Sequence, residues 1–191
     1  MNPGSEVNMQ VDVQIFATEQ LTDEQRTAVI EVCIAAHDDR VAEEFRKMFS
    51  HYIPSGGRHF LGYSDGALVS HAVVTTRGVQ PAGERILRTA FVDAASTLPA
   101  CQGRGFGTAV LRRLAAEIPD YEIACLQTDI GGFYERLGWE LWRGPLAGRG
   151  DDGLIPTPDQ RGVMILRLRD TPSLDLDTLL TIEVQPTRIW E

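Results

Sequence analysis

Hydrophobic and polar positions recur along the first third of the chain with the periods of strands and helices. From Val11 to Phe16, apolar residues occupy alternate positions, which predicts a first strand. Thr22 is followed three residues later by Gln25, the pattern of a capping box, and the residues after it predict a helix that runs to about Ala36. A second, charge-rich helix is predicted over Val41–Tyr52.

The middle of the chain is dominated by β-prone segments. His59–Tyr63 and Ala67–Thr76 flank Asp65-Gly66, a dipeptide that favours the tight turn of a hairpin. Val79–Glu84 is predicted to form a second turn, which leads into a central strand over Ile86–Leu98. Further strands are predicted over Ile123–Gln127, Trp139–Trp142 and Val163–Leu168.

Two C-terminal segments have a different character. Gly144–Gly162 contains five glycines and three prolines and predicts a long polar loop, a kind of loop that is often functional. The tail from Asp170 to Glu191 is rich in leucine and isoleucine, so we expect it to pack on the core or on another subunit. We predict a flexible terminus over residues 1–10, one domain over 11–169 and this tail over 170–191.

Composition narrows the class of protein. A chain of 191 residues with 43% hydrophobic content is long enough for one core. We expect neither a signal peptide nor a membrane span, and hence a cytoplasmic protein. The net charge of −9 argues against nucleic acid and anionic membranes as partners. This acidic excess either attracts a cationic partner or serves solubility.

Cysteine and histidine spacing gives no metal signature. The three cysteines lie far apart and form no C-x-x-C pair, so we expect neither a disulfide framework nor a zinc site. None of the four histidines is spaced as a ligand pair with another, and we expect no metal.

A glycine-rich turn lies between the central strand and a third helix. Its sequence is Gln102-Gly103-Arg104-Gly105-Phe106-Gly107, and Phe106, Val110 and Leu114 continue at helical spacing. Glycines at a helix start let backbone N–H groups approach a ligand, and the helix N-terminus adds about half a positive charge. This combination predicts phosphate binding; the alternative is a turn that only starts the helix.

Spacing excludes two common phosphate-binding motifs. The dinucleotide fingerprint needs glycine at its sixth position, where counting from Gly103 this chain has Thr108. A P-loop needs lysine before serine or threonine, and the turn has no lysine.

The remaining pattern, Gln-x-x-Gly-x-Gly, resembles the pyrophosphate-binding motif of the GNAT acetyltransferases, which bind acetyl-coenzyme A (acetyl-CoA). Downstream, the run Gly131 to Trp139, GGFYERLGW, is similar to the second signature of that superfamily. The resemblance implies an α/β (α+β) fold with a mixed, mostly antiparallel central sheet flanked by helices. It also implies acetyl-CoA as the co-substrate.

Scattered segments resemble the aminoglycoside 2′-N-acetyltransferase family in particular. They are Gly66–Val74, the Tyr134 signature, Thr157-Pro158-Asp159 and the closing Ile189-Trp190, within a span from Tyr63 to Trp190. This likeness implies acetyl transfer to a primary amine of a cationic small molecule. We also expect a homodimer.

The resemblance assigns two catalytic positions. Asp93 stands on the central strand where the aminoglycoside family has a glutamate that removes the ammonium proton through water. Tyr134 matches the tyrosine that protonates the coenzyme A sulfur, a role that suits a phenol with a pKa of about 10. The structural alternatives are a strand-end aspartate bonded to backbone and a core aromatic.

The resemblance also assigns binding positions. Backbone of the central strand would pair with the pantetheine arm, and the glycine-rich turn would hold the pyrophosphate; the residues are Ala95, Ser96, Thr97, Gln102, Gly103, Arg104, Gly105, Phe106, Gly107 and Thr108. The acceptor amine would meet Asp39, Asp93, Ala94, Gln127, Asp159 and Trp190. Arg188 replaces an acid of that family, and Glu191 extends the chain beyond Trp190. Two other functions keep the same signatures: a non-catalytic acyl-CoA sensor and a peptide or protein N-acetyltransferase.

Overall fold

The computed structural model describes residues 11–37, 56–185 and 189–190. Contacts among residues divide the chain into two compact units. The first unit extends up to Ala72 and includes Ala94–Arg113, and the second comprises Val73–Asp93 and the chain from Leu114 onward. The helix predicted over Val41–Tyr52 and the predicted flexible terminus lie outside the described residues.

The first unit opens with a strand and a helix that the sequence predicted. Strand β1 spans Asp12–Ala17, a 3-10 turn covers Thr18–Gln20, and helix α1 spans Asp23–Ala35. The predicted capping box is present, because Thr22 Oγ1 accepts from the Gln25 N–H at 3.2 Å while Gln25 Oε1 accepts from the Thr22 N–H at 3.0 Å. These bonds satisfy two backbone donors that a helix start would otherwise leave open.

The predicted hairpin is also confirmed. Strand β2 spans Arg58–Ser64 and strand β3 spans Ala67–Pro81. The two turn residues between them have positive φ angles, 51° at Asp65 and 77° at Gly66, as a tight hairpin turn requires. Strand β1 pairs antiparallel with β2.

The glycine-rich turn joins the central strand to a helix. Strand β4 spans Leu87–Thr97, a 3-10 turn covers Pro99–Cys101, and helix α2 spans Phe106–Ala116. Pro99 stands at the start of the 3-10 turn, where its missing N–H ends the strand ladder. Strands β3 and β4 contribute residues to both units.

The second unit contains most of the sheet. Its strand order is β6-β9-β5-β4-β3-β10-β7-β8, with parallel pairing of β4 with β5 and of β10 with β7. The pairings β5 with β9, β6 with β9, β7 with β8 and β10 with β3 are antiparallel. The elements are β5 Ile123–Gln127, α3 Gly131–Glu135, β6 Glu140–Leu141, β7 Leu146–Gly150, β8 Gly153–Pro156, β9 Val163–Arg167 and β10 Leu180–Glu183.

The loop predicted over Gly144–Gly162 is wrong in part. This segment holds the β7–β8 hairpin, in which Gly153, with φ 117°, is the first residue of β8 after the turn. Strand β7 has two glycines among its five residues, and all of β8 is exposed, so neither strand has an apolar alternation that sequence reasoning can detect.

The turn predicted over Val79–Glu84 begins too early, because β3 continues to Pro81. The cause lies at the other end of the chain. Strand β10 pairs with this part of β3, with Ile182 opposite Val79 and Leu180 opposite Pro81. The apolar C-terminal segment thus supplies a strand between β3 and β7. Pairing with this strand extends β3 beyond the residues that the nearby sequence predicts to be a strand.

Each unit has its own apolar core. In the first, Val29, Val32 and Cys33 of α1 pack with Leu61 and Leu68 of the hairpin. The core of the second unit brings together residues from the sheet and from the C-terminal segment, including Phe91, Ile123, Trp142, Ile165, Leu180 and Trp190.

Candidate active site

The glycine-rich loop has the backbone that close approach of a ligand requires. Gly103 and Gly105 have φ angles of 72° and 90°, in the region that favours glycine. A Cβ built on either residue would meet nothing within 4 Å, so a side chain there would fill open space beside the backbone. Phe106 is 1% exposed and anchors the start of α2 directly behind the loop.

Hydrogen bonds fasten this loop to the end of β4 within the first unit. Gln102 Nε2 donates to the carbonyl of Thr97 at 3.1 Å. The backbone N–H of Cys101 donates to the Leu98 carbonyl at 2.8 Å. The N–H of Leu98 donates to the carbonyl of Val69 in β3 at 2.9 Å. The structure therefore brings together two predicted groups of coenzyme residues, the end of β4 and the loop that follows it.

Ser96 and Thr97 are fixed from the β3 side. Ser70 Oγ donates to the Ser96 carbonyl at 3.1 Å and lies 2.9 Å from Thr97 Oγ1. The Ser96 side chain is 5% exposed, and its Oγ has no hydrogen-bond partner among the described residues. A buried hydroxyl without a partner is costly, and here it lies in the segment predicted to contact pantetheine.

Ala94 has an unusual backbone for a residue inside a strand. Its φ is 47°, a left-handed conformation that costs an L-residue roughly 1–2 kcal/mol. The Ala94 carbonyl accepts a hydrogen bond from His71 Nδ1 at 3.0 Å, and Cys33 Sγ lies 3.8 Å from the same oxygen. A left-handed residue within a ladder is typical of a β-bulge.

Two buried histidines lie behind this bulge. His59 Nδ1 is 2.9 Å from His71 Nε2, and Thr18 Oγ1 is 3.1 Å from His59 Nε2. Both rings are 1% exposed. Burial lowers the pKa of His71 to about 4 and that of His59 to about 3, so both rings are neutral at pH 7. Sequence reasoning missed this pair; the available signal was a histidine within each of two apolar strands.

In the second unit, Tyr134 lies on α3 with its ring in an aromatic cluster. Its ring contacts Phe133 and Trp139 edge to face, with centroids 5.0 Å and 5.9 Å away. The N–H groups of Leu137 and Trp139 both donate to the Tyr134 carbonyl. Gly138, at φ 89°, lets the backbone turn back at the end of α3 so that both bonds form. Burial raises the pKa of Tyr134 to about 12, so the phenol keeps its proton at neutral pH.

The remaining predicted residues of the second unit lie in different environments. Asp93 is half-buried on β4, and Asp159 is exposed. Gln127, at the end of β5, donates from Nε2 to the Arg161 carbonyl at 3.3 Å, which joins it to the segment carrying Asp159. Trp190 is 1% exposed and belongs to the core, so its side chain is committed to packing.

Several predicted positions have no structural description. Asp39, Arg188 and Glu191 lie outside the described residues. Within the ranges that the structure does describe, no group of three His, Cys, Asp or Glu side chains is arranged to hold a metal ion, and no helix is both long and apolar enough to cross a membrane.

The end of β4, the glycine-rich loop bonded to it and the start of α2 form one continuous region with open backbone at Gly103 and Gly105. The chain belongs to the GNAT acetyltransferase family, because a family model described as an acetyltransferase (GNAT) domain matches residues 17–142, well over half of its length. The predicted α/β fold with a mixed sheet and flanking helices is therefore confirmed.

Solved structures of the same fold have low sequence identity to this chain. The GNAT family N-acetyltransferase YhbS from Escherichia coli, in complex with CoA, is 13% identical at a TM-score of 0.61, over 96% of this chain and 94% of that one. A GNAT family acetyltransferase from Brucella melitensis, in complex with acetyl-CoA, is 17% identical at a TM-score of 0.55, over 92% and 97%. A GCN5-related N-acetyltransferase from Kribbella flavida is 19% identical at a TM-score of 0.54; the match covers 71% of this chain but only 34% of that protein.

Proposed function

We propose that this protein transfers an acetyl group from acetyl-CoA directly to a primary amine of a cationic small molecule, with aminoglycosides as the first acceptor class to test. The observation that carries the proposal is the loop Gln102–Gly107. It has two open left-handed glycines at the start of α2, and Gln102 bonds it to the end of β4. Membership of the GNAT family supports acetyl-CoA as the ligand.

In the proposed complex, CoA is bound by backbone groups more than by side chains. The N–H groups around Gly103 and Gly105 would bind the pyrophosphate, helped by the partial positive charge at the start of α2. The guanidinium of Arg104 lies 5.5 Å from the Phe106 ring centroid, beside this loop. The backbone of Ala95–Thr97 would pair with the pantetheine arm, as an added strand does. Thr108 would add a hydroxyl donor from the first turn of α2.

The transfer requires a neutral amine, a carbonyl group able to accept negative charge and a proton for the departing thiolate. Acetyl-CoA supplies the activated acetyl group as a thioester. In the proposed reaction Asp93 takes a proton from the acceptor ammonium through water. Tyr134 gives a proton to the sulfur, a role that its raised pKa permits because the group stays protonated. The amine nitrogen gains the acetyl group as the carbon–sulfur bond breaks. The second proton that the nitrogen loses passes to water, and water returns a proton to Tyr134.

The proposal that the acceptor is a cationic amine is based on the negative charge of the protein. The chain has a net charge of −9, and the proposed acceptor residues include the carboxylates of Asp39, Asp93 and Asp159. Ala94, Gln127 and the backbone of Trp190 complete the proposed set. Carboxylates near a polycation raise its local concentration and its association rate. By this reasoning a polyamine is the next acceptor class after aminoglycosides.

Coenzyme binding is tested at Gly105. We expect Gly105→Val to weaken CoA binding at least tenfold in calorimetry, because a β-branched side chain opposes a φ of 90° and fills the space beside the loop. Gly83→Val is the matched control: Gly83 also has a positive φ, 81°, and open space around its Cβ, but it lies in the turn that precedes β4. Equal CoA affinity in both variants and the wild type would place the coenzyme elsewhere.

Turnover is tested with an acceptor screen that detects free thiol from acetyl-CoA. The screen uses aminoglycosides, polyamines and peptides, with acetyl-CoA alone as the blank. Thiol release only with small cationic amines supports the proposal. Release only with peptides would assign a peptide N-acetyltransferase, and tight CoA binding without release for any amine would assign a sensor. A Kd for CoA above the millimolar range would exclude all three functions.

A further inference from the structure

The backbone of β4 changes its pattern at Ala94. Before this residue both faces of the strand are buried over residues 89–92, whereas after it Ala95 is exposed and Ser96 is buried. A single left-handed residue in a strand moves the following side chains to the opposite face, as a bulge does. The conformation of Ala94 therefore decides which face Ala95, Ser96 and Thr97 present.

This conformation has no local explanation. Among the described residues that are not glycine, only Asp65 and Ala94 have positive φ angles. Asp65 lies in the β2–β3 hairpin turn, which requires such an angle. Alanine inside a strand has no such requirement and has no side-chain polar group to stabilise the left-handed region. The surroundings must hold Ala94 in place, and His71 donates to its carbonyl at 3.0 Å.

The hydrogen bonds to this carbonyl have a defined direction. A carbonyl oxygen only accepts, so His71 Nδ1 carries the proton. Because the ring is neutral, His71 Nε2 has no proton and accepts from His59 Nδ1 at 2.9 Å. His59 Nε2 then has no proton and lies 3.1 Å from Thr18 Oγ1, whose single hydroxyl proton is within reach of both this nitrogen and the Gly57 carbonyl at 3.2 Å. Both ring N–H groups of this pair therefore point toward the carbonyl of Ala94.

We propose that His71 is a positioning residue for acetyl transfer: by donating to the Ala94 carbonyl, it holds the left-handed peptide and so sets how the backbone of Ala95–Thr97 is presented. The proposal rests on the proposed function of those residues. His71 itself is buried and touches neither substrate. Because burial lowers its pKa to about 4, the ring stays neutral near pH 7 and acts as a fixed donor.

Two substitutions separate the hydrogen bond of His71 to Ala94 from its hydrogen bond to His59. His71→Asn places an amide N–H near the position of Nδ1 and keeps a donor for Ala94, but it gives up the contact with His59. His71→Gln places an amide oxygen near the position of Nε2 and keeps the acceptor for His59, but it gives up the donor to Ala94. Each variant loses one buried hydrogen bond, so a structural role alone would affect both to a similar degree.

The test measures the CoA Kd by calorimetry, kcat with the best amine of the screen, and Tm for both variants. We expect His71→Gln to raise the Kd about tenfold and to lower kcat at least tenfold, while His71→Asn stays within about threefold of the wild type at a similar Tm. Thr18→Val is the control, because it removes the hydroxyl beside His59 and leaves His71 in place. We expect it to lower Tm without changing the CoA Kd or kcat. Equal losses in the Asn and Gln variants, or none, would overturn the positioning role.

The outcomes also separate the two proposals. A wild type that binds CoA but acetylates no amine defeats the proposed function, and the Kd comparison still decides the role of His71. A wild type that does not bind CoA overturns both. If His71→Gln fails to fold, long-range ¹H–¹⁵N spectra of the wild type decide the question. We expect a proton on His71 Nδ1, none on Nε2, and a shift of both resonances when CoA is added; a proton on Nε2 or unchanged resonances at saturating CoA would overturn the positioning role.

Discussion

Val110 of α2 packs directly on the backbone of Gly62 in β2. A Cβ built on Gly62 would lie 2.7 Å from Val110 Cγ2 and 3.4 Å from the Ser70 carbonyl oxygen. Both residues are buried in the first unit. Only glycine permits this approach, which places the helix that follows the glycine-rich loop against the hairpin.

Gly62→Ala should therefore displace α2. The χ1 angle of a β-branched residue is restricted in a helix, so Val110 adapts poorly and we expect a loss of about 1–3 kcal/mol in the free energy of unfolding. We also expect weaker CoA binding, because the loop moves with the helix. Urea unfolding and calorimetry measure the two effects. Val110→Ala in the same chain makes room for the new methyl group and should recover much of both losses; a double variant no better than Gly62→Ala would contradict this account.

Tyr134→Phe separates a catalytic phenol from a core aromatic. The ring contacts with Phe133 and Trp139 remain, so we expect unchanged Tm and CoA affinity. We expect kcat to fall about a hundredfold or more where chemistry limits the rate, the usual contribution of a general acid. Tyr121→Phe is the matched control, since it removes the hydroxyl that lies 2.8 Å from Thr76 Oγ1 in the same unit. An unchanged kcat in Tyr134→Phe would return this residue to a packing role.

Local patterns in the sequence predicted the parts of the fold that local forces determine. The capping box at Thr22 and the Asp65-Gly66 turn each depend on neighbouring residues, and the structure contains both. The glycine-rich loop belongs to the same group, because its backbone angles follow from Gly103 and Gly105 themselves.

Features that depend on distant residues could not be predicted in this way. The extension of β3 to Pro81 follows from pairing with β10, about a hundred positions later in the chain. The left-handed angle at Ala94 is held by His71, and no pattern around Ala94 signals it. The roles of Asp93, Tyr134 and the acceptor residues stay predictions, since they came from resemblance to a family and await measurement.

Arg77 connects the C-terminal segment to β3. Its side chain is fully buried and donates to the carbonyls of Glu183 and Ile189 at 2.6 Å and 2.8 Å, while its guanidinium lies 4.8 Å from the Phe91 ring centroid. We expect Arg77→Met to lower the free energy of unfolding by about 3 kcal/mol or more, since it removes a buried charged donor from two partly buried carbonyls. Proteolysis should then cut the chain more readily after β10.

Arg143→Met is the control for loss of an arginine ion pair. Arg143 pairs with Asp177 at 2.7 Å, but both side chains are more than half exposed, so water replaces the interaction and we expect little change in stability. Urea unfolding of the two variants measures the contrast. Similar losses in Arg77→Met and Arg143→Met would mean that burial of Arg77 contributes nothing beyond an ordinary surface pair.

The two buried histidines should make the protein less stable in mild acid. In the unfolded chain a histidine has a pKa of about 6.5, whereas burial lowers the pKa of His71 to about 4 and that of His59 to about 3 in the folded chain. Between these values the unfolded state binds more protons than the folded state. The free energy of unfolding therefore rises with pH: the contribution is complete above about pH 6.5 and is lost as the pH falls toward 4.

Each such group adds a slope of about 1.4 kcal/mol per pH unit in this window. His71→Asn removes one of the two groups and keeps a donor for the Ala94 carbonyl. We expect the slope between pH 6 and pH 5 to decrease by about that amount relative to the wild type, in urea unfolding at several pH values. Carboxyl groups that titrate in the same range are common to both proteins and cancel in the difference. Parallel curves for the two proteins would mean that His71 takes up a proton in the folded state as easily as in the unfolded chain, and hence that its ring is accessible to water rather than held neutral against Ala94.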